Sequence, residues 1–246
     1  MRKEIFIGPL LLLLIWWLLT ATGWIKPLFL ASPPEVGEAL WNGCRGDLPR
    51  HVAATLQRFA FGFGAAGVVA IPLGLLIGAQ ARVYATVEVP IDFFRSLPAM
   101  AMFPMFMLAF GLGDPSKVAI TAWSGALIII VNTIYGVRSA KQLRQDAARV
   151  FGASPFQIFV KVILPDALPQ VFAGLRTAVS ICLIVVVVSE MFMGTDKGLG
   201  LVIYNASLMY NTARMTAGIL LAGALGYGIN KAFVIIEGHL IHWAGK

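Results

Sequence analysis

The residues of this chain with the types and spacing to do chemistry are charged and hydroxyl side chains set inside long apolar runs. Arg176 and Glu190 bracket the run TAVSICLIVVVVS, with Ser180 between them. On a helix the two charges fall within about 40° of each other but about 21 Å apart along the axis, too far to pair directly. A charge at the centre of a bilayer costs a few kcal/mol unless it is paired or hydrated, so the stripe Arg176, Ser180, Glu190 offers a pore lining, with Glu190 near its outer end. The alternative has Arg176 extending to the headgroups and Glu190 pairing with a neighbouring helix. Glu88, Asp92 and Arg95 form a second stripe at spacings of four and three, just ahead of Pro98. Asp92 and Arg95 can pair locally, and the planar fork of Arg95 suits an oxyanion. A hinge or packing role for this segment stands beside that reading. Arg58 is similar but nearer the outer surface. His239 and His242 have a spacing that can ligate metal, yet no carboxylate pair or further histidine accompanies them, and a headgroup-facing role accounts for both. There is no GxxxxGK[ST] phosphate-binding loop and no Ser/His/Asp or Cys/His constellation.

The elements that carry these residues belong in a membrane. Of 246 residues, 59% are hydrophobic and only 13% charged, and mean hydropathy is +0.82. A soluble domain sits near one quarter charged. The formal net charge of +7 lies in short loops between apolar runs, which fits the positive-inside rule and not nucleic acid. Cys44 and Cys182 are the only cysteines. One falls in a loop and the other in an apolar run, so no intrachain disulfide and no cysteine metal site is expected.

A span needs about 20 mostly apolar residues. The start of the chain, with two positive charges before an apolar run from Ile5 to Thr22, resembles the front of a signal peptide. The run is long, however, and lacks a convincing cleavage site, and Trp16, Trp17 and Trp24 read as interface residues of a retained span. Polar sequence rich in proline follows, and PPEVGEALW within it predicts a short amphipathic surface helix. Five further spans are expected near residues 52–79, 87–110, 118–137, 171–193 and 215–236. The second of these five carries Pro90, Pro98 and Pro104 and is expected to be kinked or broken. The fold class is all-α and polytopic, with six transmembrane helices. Placing both termini in the cytoplasm puts Arg82, Lys246 and the basic loop from Arg138 to Lys161 on that side. Residues 1–50 form the first span and an extracytoplasmic segment, 51–238 the main membrane domain with a loop at 138–169, and 239–246 a short tail.

Within that loop stands DAARVFGASPFQIFVKVILP, residues 146–165. Ala147 and Ala148 favour helix, whereas Gly152 costs about 1 kcal/mol relative to Ala inside one. Gly152 therefore reads as a turn between two short helices, the second capped by Ser154 with Pro155 at its first position. Phe156 and Phe159 are expected to give that helix one aromatic face.

The pattern resembles the EAA loop of ABC importer permeases: acidic-Ala-Ala, three residues, Gly, nine residues, then an aliphatic pair and Leu-Pro. Asp146 stands where the family has Glu, and Val162 where it has Ile; Leu164 and Pro165 close the match. FLASPPEV, HVAATLQRFAFGFGAA, FFRSLPAMAMFPMFMLAFGLG and LPDALPQVFAGLRTAVSICLIVVVVSEM extend the resemblance to the nitrate, sulfonate, taurine and bicarbonate branch. RSLPAM has Leu97 in place of the family's Ile. The resemblance implies a type I importer transmembrane domain in the bacterial inner membrane, with residues 146–165 as the coupling helix docked on a separate ATPase subunit. It further implies ATP and Mg on that partner and no cofactor on this chain, an extracytoplasmic solute-binding protein, a second permease copy, and lipid as surroundings. A self-contained secondary transporter would want inverted repeats and charges on facing broken helices. A membrane enzyme would want a catalytic constellation. The solute itself is not written in this sequence.

Overall fold

The computed structural model describes residues 4–240, with side chains from Ile7 to His239, and every element among them is helical. In chain order these are α1 (Glu4–Ala21), α2 (Pro33–Arg45), α3 (Leu48–Ala79), α4 (Ala81–Ser96), α5 (Phe103–Phe110), α6 (Asp114–Arg138), α7 (Gln142–Val150), α8 (Pro155–Ile158), α9 (Leu164–Phe192), α10 (Leu199–Leu208) and α11 (Thr212–Leu240). Among the described residues, four helical stretches are long and apolar enough to cross a membrane: α3, α6, the run Pro155–Phe192 and α11. A fifth span is a bent pair, α4 followed by Ala99–Phe110, turned by 92°. Leu97 and Pro98 both adopt extended backbone at that corner, because the residue before a proline is driven out of the helical region. The predicted break in the third span is therefore a sharp corner. The first of the six predicted spans forms an apolar helix whose described side chains, Ile7–Ala21, fall short of that length.

The chain divides into two compact units. One comprises the described residues up to Gln57 together with Val187–Leu225. Its amphipathic helix α2 begins where the sequence predicts, after Ser32. The Glu35 carboxylate accepts from the Ser32 backbone N–H at 2.7 Å and from its hydroxyl at 2.8 Å. Those two donors hold Glu35 below the usual carboxylate range, the backbone N–H contributing more. Val36 and Ala31 pack with Ala217 of α11, flanked by Trp16 and Leu40. The Trp16 indole N–H donates to the Ala31 carbonyl at 3.0 Å, so this ring is anchored inside its unit while Trp17 and Trp24 stay exposed. A second cluster joins Leu48, Leu199 and Val202. The helix α3 starts four residues ahead of the predicted Val52, since Pro49 falls in its first turn, where a missing N–H costs nothing.

The other unit comprises Arg58–Val186 and the described residues from Gly226. Its centre is a ladder of small residues. A Cβ at Gly62 would lie 2.7 Å from the Thr121 Cβ, one at Gly74 2.6 Å from the Thr133 Cβ, and one at Gly78 2.8 Å from the Val137 Cβ. Each α6 residue is 59 positions after its α3 partner, so the helices run parallel in one register. Ala66 meets Gly125 in the same register. In α9, the Cys182 thiol occupies the space beside Gly125 and Gly174 lies under Asn132. Cys182 is a buried free thiol and Cys44 an exposed one.

Two substitutions test this packing. Gly74→Leu places a branched side chain where a Cβ already meets Thr133 and the Ile130 carbonyl, whereas a Cβ at exposed Gly64 meets nothing within 4 Å. We expect Gly74→Leu to destabilise the detergent-solubilised chain by about 1–3 kcal/mol relative to Gly64→Leu; equal melting temperatures for the pair would refute the ladder. The Thr133 hydroxyl is buried with no hydrogen-bond partner among the described residues. Thr133→Val keeps the shape and removes that orphan, so a rise in stability of about 1 kcal/mol is expected in thermal unfolding.

Candidate functional site

The segment after α6 is built from two locking motifs placed back to back. Helix α7 ends with Gly152 at φ +80°, a conformation glycine adopts without a Cβ penalty. The Gly152 N–H donates to the Arg149 carbonyl at 2.9 Å, and the Ala153 N–H to the Ala148 carbonyl at 3.0 Å. These are the two bonds of a Schellman cap. Ser154 then opens α8: its hydroxyl accepts from the Gln157 N–H at 3.3 Å, and the Gln157 side chain accepts from the Ser154 N–H at 2.9 Å. Pro155 takes the first helical position, as the sequence predicts.

The second half of the segment differs from the prediction. Instead of a short separate helix, α8 passes through a π-helical turn, Phe159–Ile163, directly into α9, giving one helical run from Pro155 to Phe192. Pro165 and Pro169 lie inside it. The wider turn just ahead of Pro165 accommodates the proline ring and its missing N–H, so the helix is not stopped. Leu164 and Pro165 thus belong to the foot of the long span. Phe159 is half-buried, so it does not share one exposed aromatic face with Phe156.

Among the exposed residues of this segment are four large apolar side chains along α7 and its turn into α8. Leu143 is 82% exposed, Val150 85%, Phe151 90% and Phe156 75%. Sequence reasoning missed Leu143, Val150 and Phe151; the available signal was their recurrence at seven and eight residues along an otherwise charged helix. Asp146 faces solvent and is spent within α7, accepting from Arg149 at 2.8 Å and from Gln142 at 3.1 Å. Ala147 is exposed and Ala148 half-buried. The base of α7 is tied to α9 through Asp166, which pairs with Arg144 and accepts from the Lys141 N–H at 3.4 Å. Arg138, at the end of α6, stacks over the Tyr84 ring at 4.1 Å.

The charges within the spans fall into separate settings. Arg95 is exposed on α4 and pairs with Asp92 at 3.3 Å, as the spacing predicts. Ser180 is exposed on α9 and shares no hydrogen bond with Arg95. Glu190 is only 1% exposed. Its carboxylate accepts from the Thr55 hydroxyl at 2.9 Å and from the Gly200 N–H at 3.0 Å. Beside it the Leu199 N–H donates to the Thr55 oxygen at 2.9 Å, and the Gly198 N–H to His51 Nδ1 at 3.0 Å. Three side chains thus receive the first free N–H groups of α10, and Glu190 has the geometry of an anchor for that helix. With Nδ1 accepting, His51 carries its proton on Nε2, which faces Asp47 at 3.4 Å. Burial acts to raise the Asp47 carboxyl, but the Arg214 guanidinium bonded to it outweighs burial and holds it below the usual range.

Two further charges are buried in the other unit. Arg58 bonds Asp114 at 2.8 Å through Nε and 2.7 Å through Nη2. Lys117, which sequence reasoning did not single out, is fully buried and donates to the Gly113 carbonyl at 2.9 Å. His239 contacts the Ile235 carbonyl of its own helix at 2.8 Å; His242 lies outside the described residues.

This architecture and these motifs have counterparts. Residues 70–242 match the family described as "Binding-protein-dependent transport system inner membrane component". Among curated relatives, the taurine transport system permease protein TauC of Escherichia coli (strain K12) is 31% identical over 98% of this chain and 90% of its own length. The bicarbonate transport system permease protein CmpB of Synechococcus elongatus is 28% identical over 91% of this chain and 84% of its own length. In three dimensions the chain resembles a subunit of the inward-facing MetNI methionine ABC transporter, with a TM-score of 0.68, 24% identity, and coverage of 77% of this chain and 94% of that one. The chain belongs to the binding-protein-dependent transport system inner membrane component family and is an ABC transporter permease.

Proposed function

We propose that this permease works as one of two identical copies in an ATP-driven importer of the bacterial inner membrane. ATP and Mg bind a separate ATPase subunit, and an extracytoplasmic binding protein delivers the solute. The observation that carries this reading is the outward apolar end of the α7–α8 turn. Four large apolar side chains stand exposed on a segment whose central turn is capped on both sides and whose base is tied to a long span. Such a surface needs a partner, and the tie through Asp166 lets motion of the docked turn reach α9. The excess of Arg138, Lys141, Arg144, Arg149 and Lys161 around it supports a cytoplasmic location, and with it cytoplasmic termini.

The solute class we assign is the one carried by the names of the relatives reported above, a taurine and a bicarbonate permease. A small oxyanion or zwitterion is the reading they support. Arg95 and Ser180, both exposed polar residues on span helices, are candidates for its path. Glu190 contributes by holding α10 in place.

Phe151→Asp puts a charge at the most exposed ring of the turn, a side chain that takes no part in the cap hydrogen bonds. It should weaken ATPase association by about 2 kcal/mol or more, about thirtyfold in dissociation constant, while the chain still inserts in the membrane. A Cβ at Gly152 meets nothing within 4 Å, so the turn objects only to the backbone angle. Gly152→Asn is therefore expected to retain uptake and Gly152→Val to lose most of it, since β-branched residues resist that conformation by about 1–2 kcal/mol. Wild-type ATPase binding and uptake in both Phe151→Asp and Gly152→Val would sink the coupling assignment. For the paired copies, native mass measurement of the purified complex should give two copies of this chain; a second, different permease bound one to one would overturn that point and leave transport standing.

A further inference from the structure

Arg176 is the only charged residue of α9 between Asp166 and Glu190. It lies five residues beyond position 171, where the span is expected to begin, about 8 Å along the axis, and its side chain is exposed. A bare guanidinium facing hydrocarbon is unfavourable, so an exposed arginine on this span faces water, a lipid headgroup or a ligand. Its Nε donates to Asn230 Oδ1 of α11 at 3.1 Å. That bond sets the plane of the guanidinium and leaves the two terminal nitrogens with no protein acceptor among the described residues. Because arginine can only donate, Asn230 turns its oxygen toward it, and its amide nitrogen remains a donor. Ser180 follows one turn along the same face, exposed, with its hydroxyl unbonded among the described residues. Thr177 between them spends its hydroxyl on the Ala173 carbonyl at 3.0 Å. The setting is thus made of donors, with no carboxylate bonded to Arg176, Asn230 or Ser180 among the described residues.

We infer that the terminal nitrogens of Arg176, with Ser180 and the Asn230 amide, form an oxyanion subsite on the solute path, taking a sulfonate or another group that presents two oxygens to the guanidinium fork. The inference rests on the permease reading above and goes further by naming the group recognised and the residues that recognise it. Paired donors in a rigid fork match two oxygens of such a group, which a lysine at the same place does not. An anionic lipid headgroup offers similar oxygens and is the competing source.

The test uses the full chain in nanodiscs with its ATPase partner, in a Cys44→Ser background that leaves only the buried Cys182. Ser180→Cys is titrated with a water-soluble cationic methanethiosulfonate, with and without ethanesulfonate. We expect ready modification, slowed by ethanesulfonate and not by ethanol. Adding Arg176→Gln should raise the concentration for half-protection by about tenfold or more, the loss of a charged hydrogen bond, and Arg176→Lys should fall between. If Ser180→Cys does not fold, Thr177→Cys carries the same measurement. An unreactive thiol, or protection indifferent to Arg176→Gln, overturns the subsite. Slowing that appears in phosphatidylglycerol discs without ethanesulfonate, and vanishes in phosphatidylcholine, assigns the site to a headgroup and likewise overturns it. Thiol protection is read without transport, so its outcome is separate from whether wild-type complex takes up sulfonate.

Discussion

Inside a bilayer an apolar side chain gains little by leaving lipid for protein, so helices associate where their backbones come close enough for dense contact. In this chain that constraint is met along α3, where Gly62, Ala66, Gly74 and Gly78 recur at multiples of four residues against Thr121, Gly125, Thr133 and Val137 of α6. With α3 and α6 in fixed register, α9 is seated on α6 through Gly125 and Gly174, and the Asn132 carboxamide accepts from Gln170 at 3.1 Å. The face of α9 that carries Arg176 and Ser180 is what remains uncovered once the buried side is spent on this contact.

The same economy governs the ends of helices. Free N–H and C=O groups at a terminus are costly wherever water is scarce, and three interruptions among the described residues meet that cost in different ways. The corner at Pro98 uses a residue with no N–H to satisfy. The start of α10 takes its acceptors from His51, Thr55 and Glu190. At Gly152 the cap hydrogen bonds all come from within residues 148–157, so the turn is closed by its own backbone and the side chains of Ser154 and Gln157.

Local chemistry is what the sequence reading could follow. Gly152, Ser154 and Pro155 act within a few residues, so the turn between α7 and α8 was legible, as were the start of α2, the Asp92–Arg95 pair and the broken third span. Features set by distant residues were not. Glu190 is anchored by Thr55, 135 positions away, and no periodicity announces that. Arg58 finds Asp114, and Lys117 is buried on the carbonyl of Gly113, only because the fold brings α3 and the start of α6 together. The continuity of the helix through Pro165 and Pro169 is likewise set by packing and a widened turn, against the intrinsic preference of proline. Phe159 looked like a surface aromatic for the same reason: its facing depends on a turn type that composition does not encode.

That widened turn has a consequence for phase. A π turn holds one residue more than the α turns around it, so side chains before Phe159 and after Ile163 are offset by about 100° from where an uninterrupted helix would put them. The azimuth at which Phe156 stands, relative to the azimuth of Arg176 on the same helical run, is therefore fixed by a single surplus residue. The helix from Pro155 to Phe192 is continuous as a rod but carries two separately indexed faces, one for each end of its task.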